Sequence, residues 1–592
     1  MCGIIGYIGA KKAQPILLNC LSKLEYRGYD SCGIAVMAED VQVYKDLVRV
    51  KALAKAAPSL DGSIGIGHTR WATHGEPSKL NAHPHCDCTG RIAVVHNGTI
   101  TNFLRLREQL IAEGHILASE TDTEVLAHLI EKYYDDDFAA AVETALHDVE
   151  GAYTMIALMS GESRLIAARK DSPLIIGIGD RENYIASDVP ALLDYTSRVI
   201  YLEDGDIALV TADGVALKNG EADIVREEHK IMWSVEDAQK GGYEHFMLKE
   251  IHEQPKVIRD TLTEYISAGE PAADLTVGGG LEDILILASG TSYHAGMVGK
   301  YILEGLINVP VRVELASEYI YSGQASARNK AIVITQSGET LDALKAIKRL
   351  KEVGCRVITL TNVVGSTASR ISDQAVYTRA GPEISVAATK TFIAQLIALY
   401  WITVPYARVD IRKLDDLILE LRQLPAKVQQ VLDNEGAIAE HARQLAKYDN
   451  IFYIGRGINY PVALEGALKL KEISYIHAEG YASGELKHGP YALLGEQAAV
   501  VAVVTGDNTY EAITTSIKEI KARKSPVLAV VSEGDETMVE LADSVISVPQ
   551  TDPLFSPVVN AVVLQLLAYY VAKERGCPID FPRHLAKTLT VE

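Results

Sequence analysis

The feature that most constrains the fold is a pattern that occurs twice in the carboxy-terminal two thirds of the chain. An apolar run that begins at Ile284 passes into a glycine-containing loop and a helical stretch, and the same order follows from Ile451, 167 residues later. A second pair of apolar runs begins at Val357 and Val527, an offset of 170 residues. Continuous apolar runs are typical of strands buried on both faces of a parallel sheet. We therefore predict two doubly wound α/β domains, over 275–412 and 442–582.

Two loops in the first of these domains have the composition of a phosphate site. Ser289-Gly290-Thr291-Ser292 and the segment TQSGET, residues 335–340, each follow an apolar run and precede a helical stretch. Ligands of doubly wound sheets bind at the carboxyl ends of the strands, and backbone N–H groups at a helix start suit an anion. The alternative is ordinary N-capping by Ser or Thr. The nucleotide-binding patterns GxxxxGK[ST] and GxGxxG do not occur there, which weighs against a nucleotide.

A helical stretch from Val462 to Ile476 carries three charged residues at helical spacing. Glu465, Lys469 and Glu472 fall at i, i+4 and i+7, on one face. One interpretation is a ladder of solvated ion pairs. Because the helix directly follows the strand and loop of the second repeat, a role in proton transfer is a competing interpretation.

The amino-terminal third has short β-rich runs with two helical stretches, which predicts a layered α+β domain. It begins with Met1-Cys2. If Met1 is removed, Cys2 carries a thiol and an α-amine, and an amine with a pKa near ~8 can take the proton of a thiol with a pKa near ~8.5. Cys2 would then be nucleophile and base at once. The alternative is a chance residue after the start.

Four polar clusters interrupt the apolar runs of this domain. Each alone fits turn or capping chemistry, and Asp122 could merely cap the helix after it. Together with Cys2 they supply the groups that hydrolyse the amide of a free amino acid: Arg70 for the α-carboxylate, Asp122 for the α-ammonium, and Asn97 with the Gly98 N–H for the oxyanion. The clusters span residues 27–31, 68–75, 96–98 and 120–124.

The bulk composition excludes several other classes of protein. A formal net charge of −21 disfavours nucleic acid and acidic membrane surfaces as partners. Seven scattered cysteines argue against a disulfide scaffold and indicate a reducing cytoplasm. The amino terminus lacks a basic segment with an apolar core, and the apolar run from Phe392 to Val404 is too short to span a bilayer. We therefore expect a cytoplasmic protein with no membrane partner.

Cys86 and Cys88, with His83 and His85 nearby, are residue types that could bind a metal ion. Zinc sites of this type need a second pair of ligands at a defined spacing, and no second cysteine pair follows. The sequence therefore predicts neither a metal nor a cofactor.

The segments MCGIIGYIG, EYRGYDSCGIAV, HTRWATHGEP, NAHPH, HNGTITN and SETDTE resemble the glutamine amidotransferase domain of the N-terminal-nucleophile type. The resemblance implies a layered αββα domain over 2–218 in which Cys2 releases ammonia from glutamine. It implies that Asn97 and Gly98 form the oxyanion hole and that Trp71 gates the path of ammonia. It also implies a set of glutamine-binding residues: Arg70, Trp71, Thr73, His74, Gly98 and Asp122.

The segments SGTSY, TQSGET, ATKTF, the 28-residue block that ends at Pro490, and the ending PRHLAKTLTVE resemble the paired sugar-isomerase (SIS) domains of the glutamine-dependent glucosamine-6-phosphate synthase family. The resemblance implies that Lys587 forms an imine with the ketose, His488 helps to open the ring, and Glu472 moves a proton between C1 and C2. It implies that the sugar phosphate is bound by Thr291, Ser292, Thr335, Gln336, Ser337, Thr340, Lys469 and Glu472.

The same resemblance completes the expected organisation. A linker over 219–244 joins the two halves, a tail over 583–592 completes the synthase site, and a homodimer places His488 in the partner's site. The expected enzyme hydrolyses glutamine and channels ammonia to fructose 6-phosphate, giving glucosamine 6-phosphate and glutamate. The chain departs from the usual wording of the family at Ser289, Thr335 and Ala388. Thr335 and Ala388 leave one alternative open, an amidotransferase or deaminase that acts on a different keto-sugar phosphate. A second alternative is a non-catalytic sugar-phosphate sensor, because sugar-isomerase modules also serve as binding domains.

Overall fold

The computed structural model describes residues 2–231, 233, 237, 239–268, 273–275 and 283–587. Met1, whose removal the expected mechanism requires, and residues 588–592 of the expected tail lie outside the described residues. The chain divides into two compact units, the first formed by residues 1–238 with 586–592 and the second by residues 239–585.

The first unit contains two antiparallel sheets and five α-helices among its described residues. The sheets have the strand orders β15-β11-β9-β10-β1-β4-β2-β3 and β14-β13-β12-β8-β7-β6-β5. The strands are β1 Gly3–Ile8, β2 Ser31–Met37, β3 Val41–Asp46, β4 Ile64–Arg70, β5 His85–Cys86, β6 Ile92–Ile100, β7 Gly151–Met159, β8 Leu165–Lys170, β9 Ile175–Ile178, β10 Asn183–Ala186, β11 Arg198–Tyr201, β12 Asp206–Val210, β13 Val215–Asn219, β14 Ala222–Ile224 and β15 Glu228–Lys230. The helices are α1 Ala13–Ser22, α2 Val50–Ala56, α3 Phe103–Ala112, α4 Glu124–Tyr133 and α5 Phe138–His147.

The two sheets face each other between outer layers of helices. Successive residues of a strand point to opposite faces, so in β1 Ile4 packs between the sheets while Ile5 packs toward α1. On the other side, buried residues of β6 and β7 pack against α3, α4 and α5. The expected layered αββα architecture is confirmed.

The segment 219–231, the first part of the expected linker, contains two regular strands. Its charged residues form two edge strands, in which Asp223 of β14 pairs with Lys218 and Glu228 of β15 pairs with Ile200. Charged side chains are tolerated at the solvated edge of a sheet, where they also discourage further strand pairing. The sheets of the first unit therefore extend past residue 218.

The second unit contains two parallel sheets. Their strands are β16 Ile284–Ala288, β17 Val311–Leu315, β18 Lys330–Ile334, β19 Arg356–Thr361, β20 Gln374–Tyr377, β21 Asn450–Gly455, β22 His477–Ala482, β23 Ala498–Val503, β24 Val527–Ser532 and β25 Ser544–Val548. Its helices are α6 Phe246–His252, α7 Gln254–Ala268, α8 Gly290–Ile307, α9 Ala316–Ser322, α10 Leu341–Glu352, α11 Thr367–Ile371, α12 Lys390–Thr403, α13 Ile411–Asp433, α14 Glu435–Leu445, α15 Asn459–Ser474, α16 Tyr510–Lys521, α17 Glu536–Leu541 and α18 Ser556–Glu574.

The predicted repeat is confirmed by sheet topology. The orders β17-β16-β18-β19-β20 and β22-β21-β23-β24-β25 are the same, and every pairing within them is parallel. The chain leaves β16 to one side as β17 and then crosses to the other side as β18. The loops that follow β16 and β18 therefore lie at a topological switch point, where ligands of such sheets bind.

Helix α18 meets the length and composition of a membrane span, but 89% of its most apolar 18-residue window is buried inside the protein. It packs against α13, α14 and α15 of the same unit. Its apolar character is accounted for by this core position.

Candidate active sites

Cys2 lies at the start of β1, beside the end of β4. The two strands are antiparallel with Gly3 opposite Thr69, so the chain that leaves β4 passes next to the cysteine. The backbone N–H of Trp71 donates to the Cys2 Sγ atom at 3.1 Å, and the side-chain amide of Asn97 donates to the Cys2 carbonyl at 2.9 Å. Burial raises the pKa of the Cys2 thiol, an effect that the Trp71 N–H opposes.

Asn97 is oriented by His68, a residue that the sequence analysis did not single out although it belongs to the HTRWATHGEP segment. His68 Nε2 lies 3.0 Å from the carbonyl of His96 and 3.1 Å from Asn97 Oδ1. Both partners are acceptors, so Nε2 carries the proton. Burial lowers the pKa of His68 to about 3, which keeps the ring neutral. The amide oxygen of Asn97 is thereby fixed, and its NH₂ group points at Cys2.

Gly98 follows Asn97 in β6 with a backbone angle that favours glycine, φ = +126°. A Cβ atom at this position would lie 2.1 Å from the carbonyl oxygen of Ala152 on the neighbouring strand. Glycine is therefore required for β6 to carry Asn97 past β7 at this spacing.

A cavity with about 420 Å³ of empty space, part of it open to solvent, lies beside Cys2. It brings together most of the predicted glutamine site but does not include His74, whose carbonyl instead accepts a hydrogen bond from Arg70. The lining residues are Cys2, Arg70, Trp71, Thr73, His83, His96, Asn97, Gly98, Thr121, Asp122 and Thr123. Of these, His83, His96, Thr121 and Thr123 were not predicted as site residues.

Arg70 and Asp122 place opposite charges in the cavity wall, and both are at least 96% buried. Arg70 also donates to the carbonyl of Gly75 at 3.1 Å, so it organises the loop that follows β4. Asp122 Oδ2 accepts from the N–H of Ile100 at 2.9 Å and does not cap α4. The capping alternative for Asp122 was therefore wrong.

In the second unit the two candidate phosphate loops lie side by side, because Ala288 at the end of β16 pairs with Ile334 at the end of β18. The loop that precedes α10 is held by its own hydroxyl groups. Thr335 Oγ1 accepts from the N–H of Gly338 at 3.2 Å, and Ser337 Oγ accepts from the N–H of Glu339 at 3.1 Å. Thr335 therefore supplies the acceptor that a serine would supply.

The hydrogen bonds of the other predicted residues at this edge differ. These residues are Gln336, Thr340, Ser292 and Thr291. The Gln336 carbonyl accepts from Asn362 at 3.1 Å, and Thr340 precedes α10 with no hydrogen bond from its side chain to the helix start. Ser292 is 8% exposed and its hydroxyl accepts from the core residue Gln395 at 3.0 Å. Thr291 donates to Glu465 at 3.0 Å, which joins the start of α8 to α15.

The charged face of α15 is buried, so the interpretation as a solvated ion-pair ladder was wrong. Lys469 is 1% exposed, and its ammonium lies 2.5 Å from Glu472 and 3.5 Å from Glu465. Burial alone would lower the pKa of Lys469, but the carboxylates of Glu472 and Glu465 outweigh it and raise the pKa. His294, which the sequence analysis missed, lies one turn beyond Thr291 with Nδ1 2.7 Å from Glu465.

The two glutamates of this face differ in access. Glu465 contacts Thr291, His294 and Lys469, and its side chain is 2% exposed. Glu472 contacts Lys469 and its side chain is 20% exposed. Among the described residues the second carboxylate oxygen of Glu472 has no hydrogen-bond partner, and the side chain is partly exposed.

The remaining predicted synthase residues are in less enclosed surroundings. His488 ends a short 3₁₀ helix, Ser483–His488, is exposed, and makes no hydrogen bond to the described residues. Lys587 is half-buried and belongs to the last segment of the chain, which groups with the first unit.

Two family descriptions match this chain. The first, "Glutamine amidotransferase domain", matches residues 68–194, and the second, "SIS domain", matches residues 282–405 and 444–575. Among solved structures, the carboxy-terminal domain of glucosamine-fructose-6-phosphate aminotransferase from Francisella tularensis aligns with a TM-score of 0.55 and 37% sequence identity, covering 58% of this chain and 99% of that chain.

Relatives that align over the whole chain have the same activity in their names. The chain is 48% identical over 612 residues to glutamine–fructose-6-phosphate aminotransferase (isomerizing) of Caldanaerobacter subterraneus subsp. tengcongensis. It is 47% identical over 618 residues to the enzyme of that name from Methanosarcina mazei. Both matches cover 100% of this chain and 100% of the relative. The chain therefore belongs to the family of isomerizing glutamine–fructose-6-phosphate aminotransferases.

Proposed function

We propose that this chain is an enzyme that hydrolyses glutamine at Cys2 and transfers the ammonia to fructose 6-phosphate, giving glucosamine 6-phosphate and glutamate. The observation that carries the proposal is the geometry at Cys2, where a backbone N–H contacts the thiol and the Asn97 amide points at the same residue. Full-length similarity to relatives of that name supports the second half of the reaction.

In the first step the α-amine of Cys2, freed by removal of Met1, takes the thiol proton, and the thiolate attacks the side-chain amide of glutamine. The Asn97 NH₂ group and the Gly98 N–H stabilise the negative oxygen that forms. Arg70 binds the α-carboxylate and Asp122 the α-ammonium of the substrate. Ammonia leaves with a proton from the amine, and water then hydrolyses the thioester to give glutamate.

Thr73 and Trp71 complete the glutamine site in this proposal. Thr73 lines the cavity, and Trp71 is tied to Cys2 by its backbone and packs edge-on against Tyr29 with ring centres 5.6 Å apart. His74 acts through its carbonyl, which holds Arg70, and not as a lining side chain. Ammonia that reaches water is protonated and is no longer a nucleophile, so we assign to Trp71 the gating of a covered path.

In the second step the sugar phosphate binds at the carboxyl edge of the first parallel sheet. The hydroxyls of Ser337 and Thr340 and the N–H groups at the start of α10 surround the expected phosphate position, and the helix dipole favours the anion. Thr291, Ser292, Thr335 and Gln336 shape the same edge. Glu472 is the better proton carrier of the two glutamates on α15, because Glu465 is buried and already has three partners.

Lys587 forms the imine with the ketose carbonyl, and Lys469 holds Glu472 in place. His488 is exposed, so we place it in the site of a second copy of the chain, where it opens the sugar ring; the proposed enzyme is a homodimer. All seven cysteines are free thiols, which suits a reducing cytoplasm.

The proposal is tested by incubating the purified chain with amide-labelled glutamine and a panel of ketose phosphates, and identifying the products by mass spectrometry. We expect labelled glucosamine 6-phosphate from fructose 6-phosphate. Labelled product from another ketose phosphate alone would replace the acceptor, and ligand binding without any product would favour the sensor alternative. Lys587→Arg keeps the charge but cannot form the imine, and should stop synthesis while glutamine hydrolysis continues.

A further inference from the structure

Four side chains of the types that bind transition metals meet at one point of the first unit, outside the glutamine cavity. Cys88 Sγ, His115 Nδ1, His128 Nδ1 and a Glu131 carboxylate oxygen all lie within 4.8 Å of one another. Cys88 comes from the loop between β5 and β6, His115 follows α3, and the other two lie one turn apart on α4. We propose that this cluster binds one Zn²⁺ ion.

Four of the six distances among these atoms are close to those of a coordination tetrahedron. Zinc bonds of roughly 2.0–2.3 Å to N, O and S place ligand atoms about 3.3 Å apart for a nitrogen–oxygen pair and about 3.6 Å apart for a sulfur–nitrogen pair. Cys88 Sγ lies 3.5 Å from His128 Nδ1 and 3.8 Å from His115 Nδ1. Glu131 Oε2 lies 2.9 Å from His115 Nδ1 and 3.3 Å from His128 Nδ1. Small movements of these side chains would bring all four atoms to bonding distance of one ion.

The surroundings of the cluster resemble those of a metal site. His128 is 1% exposed, and its Nε2 atom has no hydrogen-bond partner among the described residues but lies 3.9 Å from the carboxylate of Glu124. A carboxylate that accepts from the second nitrogen of a ligating histidine fixes its ring orientation, and Glu124 is the nearest carboxylate placed for that role. The Glu124 carboxylate is itself held by the N–H groups of Ala118 and Ser119. The N–H of Ile116 donates to Cys88 Sγ at 3.4 Å, a contact that supports a thiolate.

The donor set identifies the ion. One thiolate, two imidazoles and one carboxylate in a tetrahedral arrangement suit Zn²⁺, whereas Mg²⁺ and Ca²⁺ prefer shells of oxygen. Four protein ligands leave no open position, which is the pattern of a structural site and not of a catalytic one. Cys88 is exposed, so an ion can enter, and its thiol proton passes to solvent on binding.

These ligands differ from the set that the sequence raised and rejected. His83 lines the glutamine cavity and stacks on His68 with ring centres 4.0 Å apart. His85 contacts Thr121, another lining residue of that cavity, at 3.1 Å. The proposed partners of Cys88 lie 27, 40 and 43 residues further along the chain. The ion would join α4 to the loop after β5. Helix α4 begins at Glu124, two residues after Asp122 of the glutamine cavity.

The test uses the full-length chain without a histidine tag, stripped of metal with a chelator and then titrated with Co²⁺. We expect one Co²⁺ per chain and a sulfur-to-cobalt charge-transfer band with tetrahedral ligand-field absorption, and Zn²⁺ should displace both. Cys88→Ser should abolish the charge-transfer band and weaken binding by at least about tenfold. Cys86→Ser is the matched control and should keep the band.

A band that is equally strong in Cys88→Ser, or one lost equally in Cys86→Ser, would overturn the assignment. The assignment also fails if stoichiometric Zn²⁺ leaves the unfolding midpoint of the metal-free chain unchanged, since the four groups would then be only a hydrogen-bonded cluster. We expect Zn²⁺ to raise that midpoint by several degrees in the wild type and in Cys86→Ser, but not in His128→Ala. Metal-free wild type and Cys88→Ser should unfold at similar temperatures, which separates lost binding from lost folding.

Discussion

The candidate glutamine site and the candidate sugar site use different kinds of groups. Around Cys2 most of the supporting groups are neutral: a backbone N–H, the Asn97 amide and His68. On α15 the supporting groups are charged: Glu465 and Lys469 are buried, and Glu472 is partly exposed.

The difference matches the chemistry proposed for each site. A negative oxygen that forms during acyl transfer is best stabilised by fixed dipoles, which need no reorganisation as the charge appears. A proton that moves between two carbons needs a carboxylate with a spare oxygen and a neighbour that holds it in place. The contrast therefore leads to separate predictions for the two sites.

A second comparison, between the two parallel sheets, gives a reason for proposing the sugar site in the first repeat. The loop after β23 corresponds to the loop after β18, but it carries Asp507, whose carboxylate accepts from the Thr509 N–H at 2.7 Å near the start of α16. The first repeat has Glu339 instead, and its carboxylate is turned to the start of α11, where it accepts from Thr367. A phosphate bound at the start of α16 would lie beside the Asp507 carboxylate, which would repel it.

The largest effect is expected at Glu472. Glu472→Gln removes the proton carrier and keeps the shape of the side chain, so sugar isomerisation and synthesis should fall by roughly 10²–10⁴-fold while glutamine hydrolysis persists. Glu479→Gln is the control, because Glu479 lies outside the buried cluster. If steady-state assays of Glu472→Gln show an unchanged isomerisation rate, Glu472 is not the proton carrier and the role given to the charged groups of α15 is wrong.

Asn97→Ala should lower kcat for glutamine hydrolysis by roughly 10²–10³-fold, because one preorganised donor to the oxyanion is lost. KM for glutamine should change little, since the amide stabilises the transition state and not the ground state. A rise in KM with unchanged kcat would show that Asn97 only binds substrate. Steady-state glutaminase assays at fixed pH measure both constants.

Ser337→Asp places in the first repeat a carboxylate like the one in the second. We expect KM for fructose 6-phosphate to rise by at least about tenfold, since repulsion of a partly buried phosphate costs more than about 1.4 kcal/mol. Asp507→Asn, the matched change in the second repeat, should leave KM nearly unchanged. If Asp507→Asn had the larger effect on KM, the phosphate site would belong to the second repeat.

The neutral histidines of the first unit predict a pH-dependent stability. Burial lowers the pKa of His68 to about 3 and that of His83 well below its usual value, whereas both bind protons near ~6.5 in the unfolded chain. Between these values the unfolded chain binds more protons, so the unfolding free energy falls as pH decreases from about 6.5, by about 1.4 kcal/mol per pH unit for each such group. The stabilisation is fully present above about pH 6.5.

Denaturant unfolding of the first unit at pH 7, 6 and 5 measures this slope before the carboxylates titrate. His68→Gln keeps a hydrogen-bond donor and should lower the slope by the contribution of one histidine, about 1.4 kcal/mol per pH unit. A slope of zero between pH 7 and 5 would mean that these rings are not held neutral.

The sequence predicted the architecture better than the details of the sites. Continuous apolar strands repeated at one offset determine the two parallel sheets, and the motif order identifies the cavity around Cys2. His68, His294 and the cluster at Cys88 were missed because each acts through partners distant in sequence: 29 residues for His68 with Asn97 and 171 for His294 with Glu465. The choice between the two interpretations of α15 depended on whether its charged face is buried. The spacing of residues along a helix does not show whether a face is buried.

The central claim is that nitrogen from glutamine reaches the sugar without passing through solution. Its most direct test is synthesis from amide-¹⁵N glutamine and fructose 6-phosphate in an excess of unlabelled ammonium, with the isotope content of the amino sugar measured by mass spectrometry. The account predicts glucosamine 6-phosphate that retains the ¹⁵N label, and no labelled product from Cys2→Ala. Product whose label is diluted to the isotope ratio of the bulk ammonium would contradict it.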